Sequence, residues 1–322
     1  MTATEELSIT TCDQREEFLL SGVSYFVENI DTEKFSNVTI KSCLEGYTYP
    51  SGTPILTITG EQENIQILLR KITPLLERTI DISTNVMNLI RTFNEQNGSF
   101  ELSVINTGEF QHTACAYGGL QWTETNLIET NEVLLSDESL SGFLEEKEGI
   151  MPVGVYKNPV SEFKDLYNSS VNVDSIYVTV RNTENLKSEL RQIQWYDSKQ
   201  KGVDTDIYVY GWLSDEEIRN VSQHISGCIV NPFSIPRSSC VHSIKSEIIS
   251  VEGTPKSRDG VLEGAKFIYW DSSSEEDITI IPEGFRKSGG HNLVRTFYDS
   301  GVVKNTSKTD DIRKQTKTHN IK

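Results

Sequence analysis

Apolar positions along the chain alternate, then recur at helical spacing, in three places. Ile55 to Thr59 reads as a strand, and Ile65, Leu68, Leu69 and Ile72 follow on one helical face. Ile176, Val178 and Val180 alternate with Tyr177, Thr179 and Arg181, after which Leu186, Leu190 and Ile193 supply a helical stripe. Ile207 and Val209 alternate with Tyr208, Tyr210 and Trp212, ahead of Ile218, Val221 and Ile225. The third helix has the clearest start: Ser214 stands three residues before Glu217, the spacing of a reciprocal capping box, and Gly227 supplies a stop.

Around these pairs the pattern predicts a helix from about Asp13 to Glu28, a strand over Val38 to Leu44, a helix over Ser83 to Glu95 ending at Asn97-Gly98, and a strand over Phe100 to Ile105. The last third is strand-rich, with His242 to Val251, Ala265 to Trp270 and Ile278 to Ile281. The expected class is α+β, with mixed sheets carrying strand–turn–helix units, in a ferredoxin-like arrangement of split β-α-β units as one possibility, and a strand-rich C-terminal third.

A length of 322 residues suits two cores better than one. Residues 124–148 hold eight acids against Lys147, and the run meets Gly149, Pro152 and Gly154. That junction divides an N-terminal α+β domain, 1–150, from a C-terminal one, 151–301. Residues 302–322 form a basic tail, expected to be disordered, with six Lys/Arg against two Asp.

Charge changes the list of partners. Lys and Arg number 30 against 47 Asp and Glu, a net −17, so a phosphate backbone is repelled and nucleic acid is an unfavoured partner. The N-terminal stretch lacks the basic and apolar regions of a signal peptide, and no apolar run reaches bilayer-spanning length, so a soluble cytoplasmic protein without a membrane partner is expected. Cys12, Cys43, Cys115, Cys228 and Cys240 are dispersed and odd in number, which favours reduced, buried thiols over a disulfide framework.

Candidate chemistry is sparse. Neither a phosphate-cradling Gly-x4-Gly-Lys-Ser/Thr loop nor a Gly-x-Gly-x-x-Gly turn occurs, and a nucleophile-elbow Gly-x-Ser-x-Gly is missing, so no cofactor and no catalytic residue is assigned. His112, Cys115, Cys240 and His242 match zinc in ligand type but are too far apart in the chain to form a structural knuckle, so no metal is expected. Asp204 and Asp206 precede their strand, the wrong end for a metal-binding pair on an α/β sheet, and Glu162 with Lys164 reads as a solvated helical ion pair.

The one distinctive surface is aromatic. Tyr208, Tyr210 and Trp212 alternate along one strand and Tyr177 shares their phase in its sibling, a row that serves either as core or as a binding platform. The leading expectation is therefore a non-enzymatic structural protein that binds protein partners or assembles into homo-oligomers. Two alternatives stand beside it: a metal-assisted hydrolase or nuclease with dispersed Asp, Glu and His, and a sugar- or base-stacking module using the aromatic face.

Overall fold

The computed structural model describes residues 1–11, 17–97, 101–106, 126–129, 137–155, 158–169, 173–179, 183–200, 205–230, 235, 241–256, 266–270, 278–282 and 291–304. The chain forms two compact units, Met1–Thr84 with Arg237–Lys322, and Asn85–Pro236. The division thus falls at Thr84 and Pro236 and not near residue 150. Pairing between the two ends of the chain joins the first unit, and local periodicity carries no trace of such pairing.

Elements are numbered along the chain. In the first unit, β1 (Thr2–Thr11), β3 (Thr39–Cys43), β5 (Pro54–Glu61), β12 (Val241–Val251), β13 (Thr254–Pro255), β17 (Val294–Asp299) and β18 (Val302–Val303) make a seven-stranded sheet in the order β13-β12-β1-β5-β3-β17-β18. Every neighbouring pair is antiparallel. β2 (Glu17–Leu19) pairs with β4 (Thr48–Pro50), and β14 (Lys266–Trp270) lies between β15 (Ile278–Pro282) and β16 (His291–Asn292). Of the tail 302–322, Val302 and Val303 are therefore a strand, and residues 305–322 lie outside the described residues.

The predicted helix over 13–28 is replaced, within the described residues, by β2 and the short α1 (Val23–Glu28). Gly22 at the start of α1 has φ 93° and offers no side-chain cap. The cap comes from elsewhere: the buried carboxylate of Glu45 accepts hydrogen bonds from Val23 N at 2.6 Å, Ser24 N at 3.0 Å and the Ser24 hydroxyl. Burial raises the Glu45 pKa, outweighing those donors, which act to lower it.

The two helices expected over 65–72 and 83–95 are one, α2 (Gln62–Asn97), with Pro74 inside it. Pro74 cannot donate to Arg70 O, but both residues are exposed, so water can take the freed carbonyl. Ile65, Leu68, Ile72, Leu76 and Ile80 are buried on one stripe against Phe18, Leu20, Ile40 and Ile58. Polar residues at the next turn bond across to the β2 segment. Thr79 Oγ1 donates to Ser21 O at 3.0 Å, Ser21 Oγ and Ser83 Oγ are 2.6 Å apart, and Leu19 N donates to Thr84 Oγ1 at 3.1 Å. Any Cβ on Gly22 would stand 2.6 Å from Thr79 Oγ1, so the close approach itself requires glycine.

The second unit holds β6 (Glu101–Asn106), β7 (Asn126–Glu129), α3 (Asp137–Glu148), β8 (Met151–Val153), α4 (Pro159–Asn168), β9 (Ser175–Thr179), α5 (Thr183–Gln200), β10 (Asp206–Tyr210), α6 (Asp215–Val221) and β11 (Gly227–Val230). Its sheet order is β7-β6-β11-β10-β9-β8, and every described pair is parallel. The protein is α+β, but each large sheet is of one sense where mixed sheets were expected. Nor are the strand–helix units ferredoxin-like: in a split unit a strand stands between the parallel pair, whereas β9 and β10 are bonded directly, Ile207 opposite Ile176.

β8, β9, β10 and β11 are laid down side by side with one helix in each connection. Right-handed crossovers advancing in one direction put α4, α5 and α6 on the same face, the winding of a β/α barrel wall. Ile176, Val178, Ile207 and Val209 point to that face by alternation, and Leu186, Leu190, Ile193, Ile218 and Val221 are buried with them. The opposite face is a second cluster: Ile105, Ile128, Tyr177, Tyr208 and Ile229, with Leu144 of α3 and Val155 packed on it.

Candidate functional site at the strand C-termini

In a parallel sheet wound this way the loops after the strands and the helix N-termini meet at the strand C-terminal ends, which therefore form the natural place for a ligand. Here that end gathers Thr179 at the close of β9, Tyr210 at the close of β10, the Gly154–Val155 turn after β8, and Gly211–Ser214 before α6. Asn106 and Glu129 close β6 and β7.

Thr179 is paired in register with Tyr210 and faces the same side as Tyr177. It is only 9 % exposed, and its hydroxyl has no hydrogen-bond partner among the described residues. A buried hydroxyl without a partner costs about 1–3 kcal/mol, a penalty that a bound ligand can remove.

The turn after β8 is shaped by a carboxylate. Glu162 Oε2, one turn into α4, accepts from Gly154 N at 2.6 Å and Val155 N at 3.1 Å, two consecutive amides converging on an anionic group. Gly154 has φ 86°, and a Cβ there would come 2.8 Å from Pro159 Cγ. Lys164 Nζ lies 5.5 Å from the centre of the Tyr196 ring, while Glu162 Oε2 is engaged by the turn amides.

After β10 the chain turns at Gly211, φ 126°, whose amide donates to Ile229 O at 3.1 Å. Ser214 then caps α6 with the capping box read from the sequence: Glu217 N donates to Ser214 Oγ, and Glu217 Oε2 accepts from Ser214 N at 2.7 Å. Burial raises the Glu217 pKa, yet bonds from Ser214 and from the Thr183 side chain outweigh it and hold the carboxyl below its usual range.

The four aromatic candidates separate. Tyr177 and Tyr208 are buried in the interior cluster, and the Tyr177 hydroxyl lies 2.6 Å from Ser141 Oγ of α3. Tyr210 is half-buried and meets Tyr177 edge-on at 6.0 Å between ring centres. Trp212 lies beyond the Gly211 turn, where strand alternation has ended, and it is half-buried. The structure thus brings three of the four together, as interior packing in the case of Tyr177 and Tyr208. Thr179 was in phase with them in the sequence, but nothing in a lone threonine marks an unpartnered hydroxyl before burial is known.

Asp206 begins β10, at the N-terminal end of the sheet and away from the strand C-termini. Asp204 and the candidate zinc ligands His112, Cys115 and Cys240 lie outside the described residues, as does the side chain of His242. Among the described residues no group of three His, Cys, Asp or Glu could hold a metal ion. Cys43 and Cys228 are free and buried, and burial pushes the Cys228 thiol up to about 12. No described helix is long and apolar enough to cross a membrane.

No protein-family model matches the chain, and no curated protein matches it in sequence. Solved structures do match its fold. The nicotinate-nucleotide pyrophosphorylase of Pyrococcus furiosus superposes with a TM-score of 0.74 at 16% identity, covering 100% of this chain and 90% of that one. Human nicotinic acid phosphoribosyltransferase gives 0.61 at 12% identity, over 98% and 89%. The nicotinate-nucleotide pyrophosphorylase of Francisella tularensis gives 0.51 at 13%, over 77% and 86%. The chain has the fold of this class of phosphoribosyltransferases.

That finding corrects the expectation of a non-enzymatic structural protein that binds protein partners or self-assembles, which rested on the lack of a catalytic motif, the aromatic strand face and the acidic body with its basic tail. The proteins that share its fold are named as enzymes, and none of the three names is that of a hydrolase, a nuclease or a sugar-binding module. A missing short motif does not exclude an enzyme, because active sites on parallel α/β folds are commonly assembled from the ends of several strands.

Proposed function

We propose that this protein is a phosphoribosyltransferase acting on a pyridine carboxylic acid such as nicotinic acid, with its reaction centre at the C-terminal ends of the six parallel strands. The observation that carries the reading is the fold likeness to the Pyrococcus furiosus enzyme over the whole chain. In the reaction, the ring nitrogen forms a bond to the anomeric carbon of a phosphoribosyl diphosphate. The anomeric C–O bond breaks, and pyrophosphate leaves with its electron pair.

The chemistry asks for groups that orient a ribose and answer the charge of phosphates. Thr179 supplies a hydroxyl already desolvated and unpaired. The Glu162 carboxylate holds the Gly154–Val155 amides in a fixed turn beside it in the strand order.

Thermal unfolding with added nicotinic acid mononucleotide tests the reading. A ligand at 100 times its dissociation constant stabilises the fold by about 2.7 kcal/mol. The wild-type protein should be stabilised by it, and the Thr179→Val protein less. A melting temperature unmoved by saturating nucleotide in the wild type would count against the proposal.

A further inference from the structure

At the opposite, N-terminal end of the same parallel sheet lies a groove of about 490 Å³, a size that suits a small ligand. Its wall is the outer part of α5, where Arg191, Gln194, Trp195 and Ser198 fall at helical spacing on one face. Asp206 and Ser226, at the starts of β10 and β11, and His224 complete it.

The groove is framed by bonds that fix its shape. His224 Nδ1 is 2.8 Å from Gln194 Oε1, and Arg191 Nε donates to His224 Nε2 at 3.2 Å, so Nε2 accepts and Nδ1 carries the proton. Gln194 Nε2 donates to His224 O at 3.3 Å. Ser226 Oγ donates to Asp206 Oδ1 at 2.9 Å, and the buried Asp197 accepts from both Thr205 N and Thr205 Oγ1 at 2.9 Å.

Three groups remain open within this frame. The Arg191 terminal nitrogens make no bond to a described residue, so they face solvent as a bidentate fork. Trp195 is 62 % exposed, the most exposed aromatic ring among the described residues, with Lys199 Nζ 5.8 Å from its centre. Asp206 keeps its second carboxylate oxygen unbonded among the described residues, while Ser226 holds the first.

We propose that this groove binds a free nucleoside 5′-monophosphate: the base stacks on Trp195, the ribose diol donates to Asp206, and the phosphate takes the Arg191 fork. The polarity agrees with that placement. Desolvation lowers the His224 pKa, and so do the charges of Arg191 and Lys187, which together make this end of the groove positive. A planar ring over an exposed tryptophan, a carboxylate for a diol and a guanidinium for a phosphate are the three contacts a nucleotide needs. A nucleic-acid strand is disfavoured by the net charge of −17, which leaves the free nucleotide. The site is remote from Thr179 along the strands and does not depend on the reaction proposed there.

Calorimetric titration of the full chain with adenosine 5′-monophosphate, adenosine and inorganic phosphate tests the site. One nucleotide should bind per chain. Arg191→Gln should weaken the nucleotide at least 10-fold yet leave adenosine unchanged, and Trp195→Ala should weaken both. Binding that survives both substitutions but is lost in Thr179→Val belongs to the strand C-termini and overturns the proposal. So does a lack of nucleotide binding, or phosphate binding as tightly as the nucleotide.

Discussion

Lys266 Nζ lies 2.5 Å from Glu6 Oε1, a buried ion pair between residues 260 positions apart. It ties β14 of the three-stranded sheet to β1 of the seven-stranded sheet. Burial raises the Glu6 pKa, while the hydrogen bond and charge of Lys266 work to lower it. Breaking such a pair from one side strands a charge in the interior, which is costlier than replacing both partners. Lys266→Ala should therefore destabilise the protein by about 3–5 kcal/mol in urea unfolding, and the double change Glu6→Leu, Lys266→Met by much less.

Glu45 stands where α1 lacks a cap of its own. Glu45→Ala removes the buried carboxylate to which the Val23 and Ser24 amides donate, and the expected loss is roughly 2–4 kcal/mol. The direction of its pKa also gives a pH dependence. A folded value raised above the unfolded 4.5 means that the contribution is full below 4.5 and declines as pH rises through the folded value. Glu45→Gln should abolish that decline in stability measured against pH.

His224 has the opposite sign. Its folded pKa lies below 6.5, so its contribution is present above 6.5 and is lost as pH falls through the lowered value. A proton NMR titration should find its midpoint below that of a free histidine. Lys187→Gln should move the midpoint back upward, though only in part, because burial is the larger cause.

Gly154 is required by its backbone and by its neighbour Pro159. Gly154→Ala should cost about 1–3 kcal/mol and disturb the turn that Glu162 holds, lowering any activity at the strand ends more than the stability loss explains.

Much of the second unit could be read locally. β9, α5, β10 and α6 fall within a few residues of their expected positions, because each carries its own alternation, helical stripe or cap. α2 was divided in reading because Pro74 and the run Asp81, Ser83 and Thr84 interrupt its apolar stripe, and those hydroxyls prove to be bonded inside the fold. The pairing of β1 with β12 joins residues some 240 apart, and no local signal encodes it. The aromatic row was visible, but its burial under α3 was not. Thr179 became a candidate only once its hydroxyl was seen to be buried and unpaired.

Thr179→Val bears on that last point from both sides. Removing an unpartnered buried hydroxyl should stabilise the unliganded protein by about 1 kcal/mol or more, while any ligand that uses it binds less well. A gain in melting temperature together with weaker nucleotide binding is the expected pair of results.

The most direct measurement is turnover: purified protein incubated with nicotinic acid and phosphoribosyl diphosphate, with and without added magnesium and ATP, and followed by chromatography for nicotinic acid mononucleotide and pyrophosphate. Both products should form in equal amounts in the wild type and fall at least 10-fold in Thr179→Val. If folded wild-type protein forms neither product, and forms no nicotinic acid from the mononucleotide and pyrophosphate in the reverse direction, the proposed reaction is contradicted.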